Sequence, residues 1–266
     1  MSVYIVPIYL SSPRESPVSP SGGGPRGGNQ IAPVSSSAVK NISIPIDLML
    51  KFYNHAVSWN TRRVWIALLE KEIEFEEIRL QLNGDQMEPD FLEVNPFHHA
   101  PALIDNNLKI IESLAILDYL EAKYPKPALL PTNPQDLAIV RMVEMISANE
   151  LAPAIAPLIA HMMGISKKEE TELEKCRAKI TTVLTFFSQH LDDNSYFTGE
   201  SLTRADIVAG TIVPWLPSVR MNLDDYPRLQ AWCERLSERP SWQQTQPNPE
   251  AIKAFRSSMK KLMKKN

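Results

Sequence analysis

Phe52 to Val64 reads F-Y-N-H-A-V-S-W-N-T-R-R-V, and two patterns meet inside it. Leu50 and Phe52 alternate with Lys51 and Tyr53, and an aromatic on each face suits a short strand buried on both sides. From Asn60 the period changes. Val64, Leu68 and Lys71 fall on one face with Trp65 and Leu69 beside them, which predicts an amphipathic helix over 60–71. Ser58 then stands just before a helix N-terminus, where unpaired backbone N–H groups and the positive end of the helix dipole favour an anion. A thiolate is one such anion. The only cysteines are Cys176 and Cys233, so a thiolate beside Ser58 has to arrive with a ligand. The same position also suits a plain N-cap.

Outward from this stretch the elements alternate. E-F-E-E-I-R-L, residues 74–80, predicts a second strand parallel to the first, and a polar loop from Gln81 to Glu88 leads to a short helix around Pro89 to Val94. P-A-L-I-D-N-N-L-K-I-I, residues 101–111, reads as two strands turning at Asp105, Asn106 and Asn107, residue types that tolerate positive φ. A helix over 113–124 stops at Pro125. A β-α-β unit followed by a β-β-α unit is the thioredoxin-like arrangement, here an α/β domain over 49–125. The stiff, proline-rich run 126–134 reads as a linker. Helical periodicity over 137–163, 168–191, 204–216 and 228–236 makes 135–247 an all-α domain. Thr203 and Asp206 form a capping box with Leu202 and Ile207 as its staple, a folding signal and not a site. Pro153 and Pro157 should kink the first of these helices.

The 266 residues are 44% hydrophobic and 22% charged, ordinary for a globular, water-soluble chain. A net charge of −3 and a pI near 6.0 give no reason to propose nucleic acid as a partner. Two cysteines without C-x-x-C make neither a disulfide framework nor a zinc site, and a reducing cytoplasm fits them. Adjacent His98 and His99 point apart in an extended chain, so no shared metal is expected. The first 48 residues hold seven of 22 prolines, five of nine glycines and ten serines, and read as a disordered extension. Their opening lacks a basic n-region, so no secretory signal is read there, and translation starting at Met49 is the alternative. No stretch is read as a membrane span. The tail 248–266 has Ile252, Phe255, Met259, Leu262 and Met263 in one stripe and carries six Lys or Arg against one Glu. It is expected to dock on the more acidic body, with membrane contact the less favoured alternative.

S-W-N-T-R-R-V, F-L-E-V-N-P-F-H-H-A-P-A-L, I-I-E-S-L-A-I-L-D-Y-L, the T-R-A-D-I box and Y-P-R-L-Q-A-W, in that order, resemble the soluble glutathione transferases, nearest their serine-type theta, phi and bacterial members. The resemblance covers roughly Met49 to Gln246. It implies glutathione as co-substrate and Ser58 as the catalytic residue, donating a hydrogen bond to the thiolate. It implies a cis Pro101 with the Ala100 main chain free to pair with the cysteinyl segment, and Glu112 and Ser113 holding the γ-glutamyl end. Gln86 and Met87 stand where phi-type sequences carry a basic pair. Gln86 and His99 would then serve the peptide's other end, His99 compensating if protonated. An apolar electrophile pocket between the domains would draw on Trp59, Met145, Asn149 and Trp215. Omega and beta members use a cysteine at this turn, which the chain lacks, and zeta-type isomerases differ there as well. The activity implied is conjugation of small hydrophobic electrophiles, with hydroperoxide reduction beside it. The alternatives are a non-catalytic interaction module and, less favoured, a glutathione-dependent isomerase. The resemblance also implies a homodimer that uses the 113–124 helix and the first all-α helix.

Overall fold

The structure is a computed structural model that describes residues 49–81, 85–164 and 168–263. The expectations for residues 1–48 lie outside the described residues. β1 (Leu50–Asn54), α1 (Trp59–Glu70) and β2 (Phe75–Arg79) form the first unit, with β1 and β2 parallel from Leu50 opposite Phe75 to Asn54 opposite Arg79. After a 3-10 turn over Asp85–Met87 and α2 (Pro89–Val94), β3 (Ala102–Asp105) adds antiparallel to β1, β4 (Leu108–Ile111) adds antiparallel to β3, and α3 (Ser113–Lys123) follows. The strand order is β2-β1-β3-β4. Asn106 takes φ 53° in the β3–β4 turn, the left-handed conformation its short polar side chain tolerates.

The sheet is covered on both faces. Leu50, Phe52 and Leu103 pack with Val64 and Leu68 of α1 and Ile116 and Leu120 of α3. On the other side Ala102 and Tyr53 pack with Phe91 of α2. α1 is not the one-faced helix its period suggests. Trp59, Ile66 and Ala67 turn away from the sheet into the core of the helical half, while Trp65 and Leu69 are only partly buried. A helix set between two cores has little side left for solvent, so Arg62 and Arg63 are buried as well.

The helical half comprises α4 (Pro134–Ile146), α5 (Ala152–Met162), α6 (Glu170–Leu191), α7 (Arg204–Gly210), α8 (Pro227–Ser237), α9 (Pro240–Gln244) and α10 (Pro249–Met263). The expected kink between α4 and α5 is a π-helical turn over Ser147–Leu151, closed by the Ala152 N–H donating to Ser147 O. Pro153 has no N–H to continue the ladder and its ring crowds the preceding turn, so the helix widens just before it. By length and hydropathy alone Pro134–Met162 could cross a bilayer. Its Val140, Val143, Leu151, Ile155, Leu158 and Ile159 instead fill the core.

The helix expected over 204–216 is split. α7 ends at Gly210, where a Cβ would stand 2.5 Å from Leu236 Cδ1 and 3.3 Å from Trp242, and a 3-10 turn over Val213–Val219 continues from Pro214. Its capping box forms: the Thr203 N–H donates to Asp206 Oδ2 at 2.9 Å. α9 has no counterpart in the sequence reading. The two halves are joined by buried and partly buried polar links. Arg62 donates to Thr245 Oγ1 and Trp242 O, Arg239 pairs with Glu70, and Arg204 reaches Asp118 and Leu114 O of α3. Lys71, at 4% exposure, donates to Tyr124 O and Pro127 O and pairs with Glu121, fixing the start of the linker to the end of α1.

Candidate active site

Ser58 caps α1. Its N–H donates to His55 O at 3.0 Å, which turns the chain out of β1, and its own carbonyl accepts the Arg62 N–H at 2.9 Å. Its Oγ accepts the Thr61 N–H at 3.3 Å. Because that bond uses an oxygen lone pair, the hydroxyl hydrogen is left for another acceptor. The first turn of α1 carries no acidic side chain, so the positive end of the helix is not offset from within.

The first turn of α3 has no acid either. Asn60, Asn95, His99, Ala100, Pro101, Glu112 and Ser113 line one cleft. Ala100–Pro101 is a cis peptide. Asn95 braces the loop before it by donating to His99 O at 2.6 Å and accepting the Phe97 N–H at 2.9 Å. Glu112, at φ 65° and ψ 115°, is held in sparsely populated backbone space, and its exposed carboxylate stands at the start of α3. Such a conformation costs on the order of 1–3 kcal/mol and persists only where the surroundings impose it, most often at functional sites. Ser113 is buried beside it, and behind Ser113 lies Arg63, whose Nη1 donates to Ser113 Oγ at 3.5 Å.

The sequence models of the glutathione S-transferase N-terminal and C-terminal domains match residues 48–122 and 146–240. A probable glutathione S-transferase, GSTF2, of Oryza sativa subsp. japonica is 34% identical over 205 residues, which are 73% of this chain and 94% of the rice protein. The chain belongs to the glutathione S-transferase family. Among solved structures, glutathione transferase F7 from Populus trichocarpa superposes with a TM-score of 0.65 at 27% identity, covering 76% of this chain and 99% of the poplar chain. A glutathione S-transferase from Methylobacterium radiotolerans, solved in complex with glutathione sulfonate, gives a TM-score of 0.65 at 27% identity, covering 74% of this chain and 94% of its own.

Within this family member the expected residues divide. His99, Ala100, Pro101, Glu112 and Ser113 share the cleft, and Ser58 caps the helix whose Asn60 forms one wall of it. Gln86, half-buried on its 3-10 turn, is not among those walls. Burial lowers the His99 pKa, a pull that Glu112 opposes and His98 reinforces. The four electrophile-pocket candidates do not form one wall. Trp59 and Trp215, at 2% and 7% exposure, are core side chains, because their bulk fills the space between the halves. Met145 and Asn149 lie exposed beside each other, with Asn149 Nδ2 3.9 Å from the Met145 sulfur.

Asn60, Asn95 and Arg63 were missed as site residues. The N-P pair at 95–96 is a turn signal that could have marked the first loop. A charged doublet inside a helix ordinarily reads as solvent-facing. Among the described residues no group of three or more His, Cys, Asp or Glu could hold a metal.

α10 bears on the site from the C-terminal end. Phe255, 9% exposed, packs its ring 5.2 Å from that of His55, three residues before Ser58. Burial lowers the His55 pKa from 6.5 to about 4, against a weaker opposing pull from Asp85.

Proposed function

We propose that this chain binds glutathione and transfers its thiolate to small hydrophobic electrophiles. The observation that carries the reading is the Ser58 hydroxyl. Its oxygen is engaged by the Thr61 N–H and its hydrogen is unspent, at a helix N-terminus without an acid of its own. A free thiol has a pKa of about 8.5, and lowering it by two units requires about 2.7 kcal/mol of preference for the anion. A helix N-terminus supplies roughly 0.3–2 kcal/mol and a hydrogen bond to a charged group roughly 1.5–3. Together they reach the requirement. The chain's own thiols do not compete: burial raises the pKa of Cys233, and that of Cys176 likewise.

In this reading the rest of the tripeptide lies along the cleft. The cysteinyl backbone pairs with the main chain of Ala100, the γ-glutamyl ammonium meets Glu112, and the γ-glutamyl carboxylate takes the Ser113 hydroxyl and the start of α3. His99 serves the glycyl end from the cleft wall, and Gln86 donates to it without a formal charge from the 3-10 turn outside those walls. The thiol proton leaves to solvent, and the sulfur lone pair forms a bond to the electrophilic carbon, displacing a leaving group or adding across an activated double bond. With a hydroperoxide the sulfur attacks the terminal oxygen instead, the O–O bond breaks and the alcohol leaves with a proton from solvent, and a second glutathione thiol displaces water from the sulfenic acid to give the disulfide.

The proposed setting is cytoplasmic detoxification by a homodimer. The 59%-exposed Phe97 beside the cleft and the 40%-exposed Met142 of α4 support an interface with a second copy. Retention on immobilised glutathione followed by conjugation of a chlorinated dinitrobenzene tests the reading. Retention without turnover would leave an interaction module in its place. Light scattering tests the assembly, and a mass near the 30.0 kDa of one chain at every concentration rules the dimer out.

A further inference from the structure

Three arginines are buried where the two halves meet, and they are not equally satisfied. Arg62 donates to Thr245 Oγ1 and Trp242 O, and Arg204 to Glu144, Asp118 and Leu114 O. Arg63, at 1% exposure, has one side-chain hydrogen bond among the described residues, the 3.5 Å contact with Ser113 Oγ, and its Nε and Nη2 have no partner among them. Burial lowers its pKa to about 10 while the attraction of Glu144 holds it up, so it is a cation at neutral pH. Glu144 is not a dedicated counter-charge, because its two oxygens are taken by Arg204 and Arg141. A buried guanidinium without its own acid costs more than an apolar side chain of similar volume. A purely structural role leaves that cost unexplained. The open side of Ser113 is the cleft; the first turn of α3 brings no acid to it, and the acid among the cleft walls is the cap residue Glu112, whose exposed carboxylate faces solvent rather than the buried guanidinium.

We propose that Arg63 is a positioning residue for the substrate's γ-glutamyl α-carboxylate. By donating to Ser113 Oγ from behind, it occupies an oxygen lone pair and leaves the hydroxyl hydrogen directed into the cleft. Its charge, with no acid of its own, attracts the carboxylate that receives that hydrogen. The inference rests on the glutathione reading of the cleft.

The test compares glutathione with γ-aminobutyryl-cysteinylglycine, which lacks only that carboxylate. Calorimetric affinities are measured for wild type, Arg63→Met and Arg63→Lys, with kcat and KM for glutathione alongside. Wild type should prefer glutathione. In Arg63→Met that preference should shrink about tenfold or more, the worth of a hydrogen bond to a charged group. The loss should come from weaker glutathione binding and a higher KM, with analogue affinity unchanged and kcat within about twofold. Arg63→Lys should recover part of the preference. Parallel weakening of both peptides, or an unchanged preference in a folded Arg63→Met, overturns the proposal. If Arg63→Met does not fold, Arg63→Lys decides: a partial loss confined to glutathione supports the role, and a wild-type preference or a parallel loss overturns it. A wild type that binds both peptides equally removes the role of Arg63 and leaves the glutathione reading standing. A wild type that binds neither removes both.

Discussion

α1 and α7 each begin on a hydroxyl side chain, Ser58 and Thr203, and each hydroxyl sits on the first turn it caps. At α7 the turn is closed from within. Asp206 accepts from the Thr203 N–H and hydroxyl, from the Phe197 N–H and from Trp232 Nε1, and it is fully buried. At α1 there is no acid in the first turn, and the serine engages a single N–H. A helix start that satisfies itself has no use for a ligand. One left electrostatically incomplete is stabilised by whatever anion reaches it. The two ends thus divide folding from binding, and changing either should show the division.

The largest effect belongs to the closed end. Asp206→Ala orphans several buried donors at once and should cost about 3–5 kcal/mol of stability, read from the denaturant midpoint. Glutathione affinity of whatever fraction remains folded should be unchanged, and a selective loss of affinity would mean that α7 is not remote from the site. Ser58→Ala should do the reverse. It should lower turnover about 10- to 100-fold and raise the pH at which bound thiol ionises, while stability falls by only about 1 kcal/mol. Thiolate absorbance titrated in both forms checks this, and an unchanged midpoint with full turnover would assign the work to another group.

His55 adds a pH dependence at the open end. Its pKa is about 4 in the folded chain against 6.5 as the ordinary value, so between the two the unfolded chain binds a proton that the folded one refuses. Stability is therefore lost as pH falls through that window, by about 1–2 kcal/mol from pH 7 to 5. The difference in midpoint between wild type and His55→Gln at the two pH values isolates the term. A wild type and a variant that lose the same amount would show that His55 is not its source. The smallest effect is the most direct test of the comparison. Asn60→Asp gives α1 an acid of its own and should raise the bound thiol's ionisation midpoint by up to about one unit while stabilising the free protein by a few tenths of a kcal/mol. A lowered midpoint would contradict the electrostatic account.

The strands and the end of α3 were legible because alternation, the Asp105–Asn107 turn and Pro125 are local signals. The Thr203–Asp206 box was legible for the same reason. The second buried face of α1 was not. Arg62 and Arg63 carry the charge of surface residues, and only the arrival of another half of the chain buries them. The same cause hid the fate of Trp59, which looked available to a ligand until the helical core was seen to claim it. Ser58, Glu112 and Ser113 could be read from the sequence as helix-start residues. Asn60, Asn95 and Arg63 reach the cleft or its rear wall through long-range packing that no local spacing encodes.

The partners of Arg62 have a further consequence. Trp242 and Thr245 follow it by 180 and 183 residues. At about 5–20 residues per second, a ribosome takes on the order of ten to forty seconds to deliver them. Throughout that interval the core that Trp59, Ile66 and Ala67 enter still lacks Trp242. The helix that presents Ser58 is among the first segments synthesised and among the last to be enclosed, so a nascent chain stalled before α9 should be a ready substrate for chaperones.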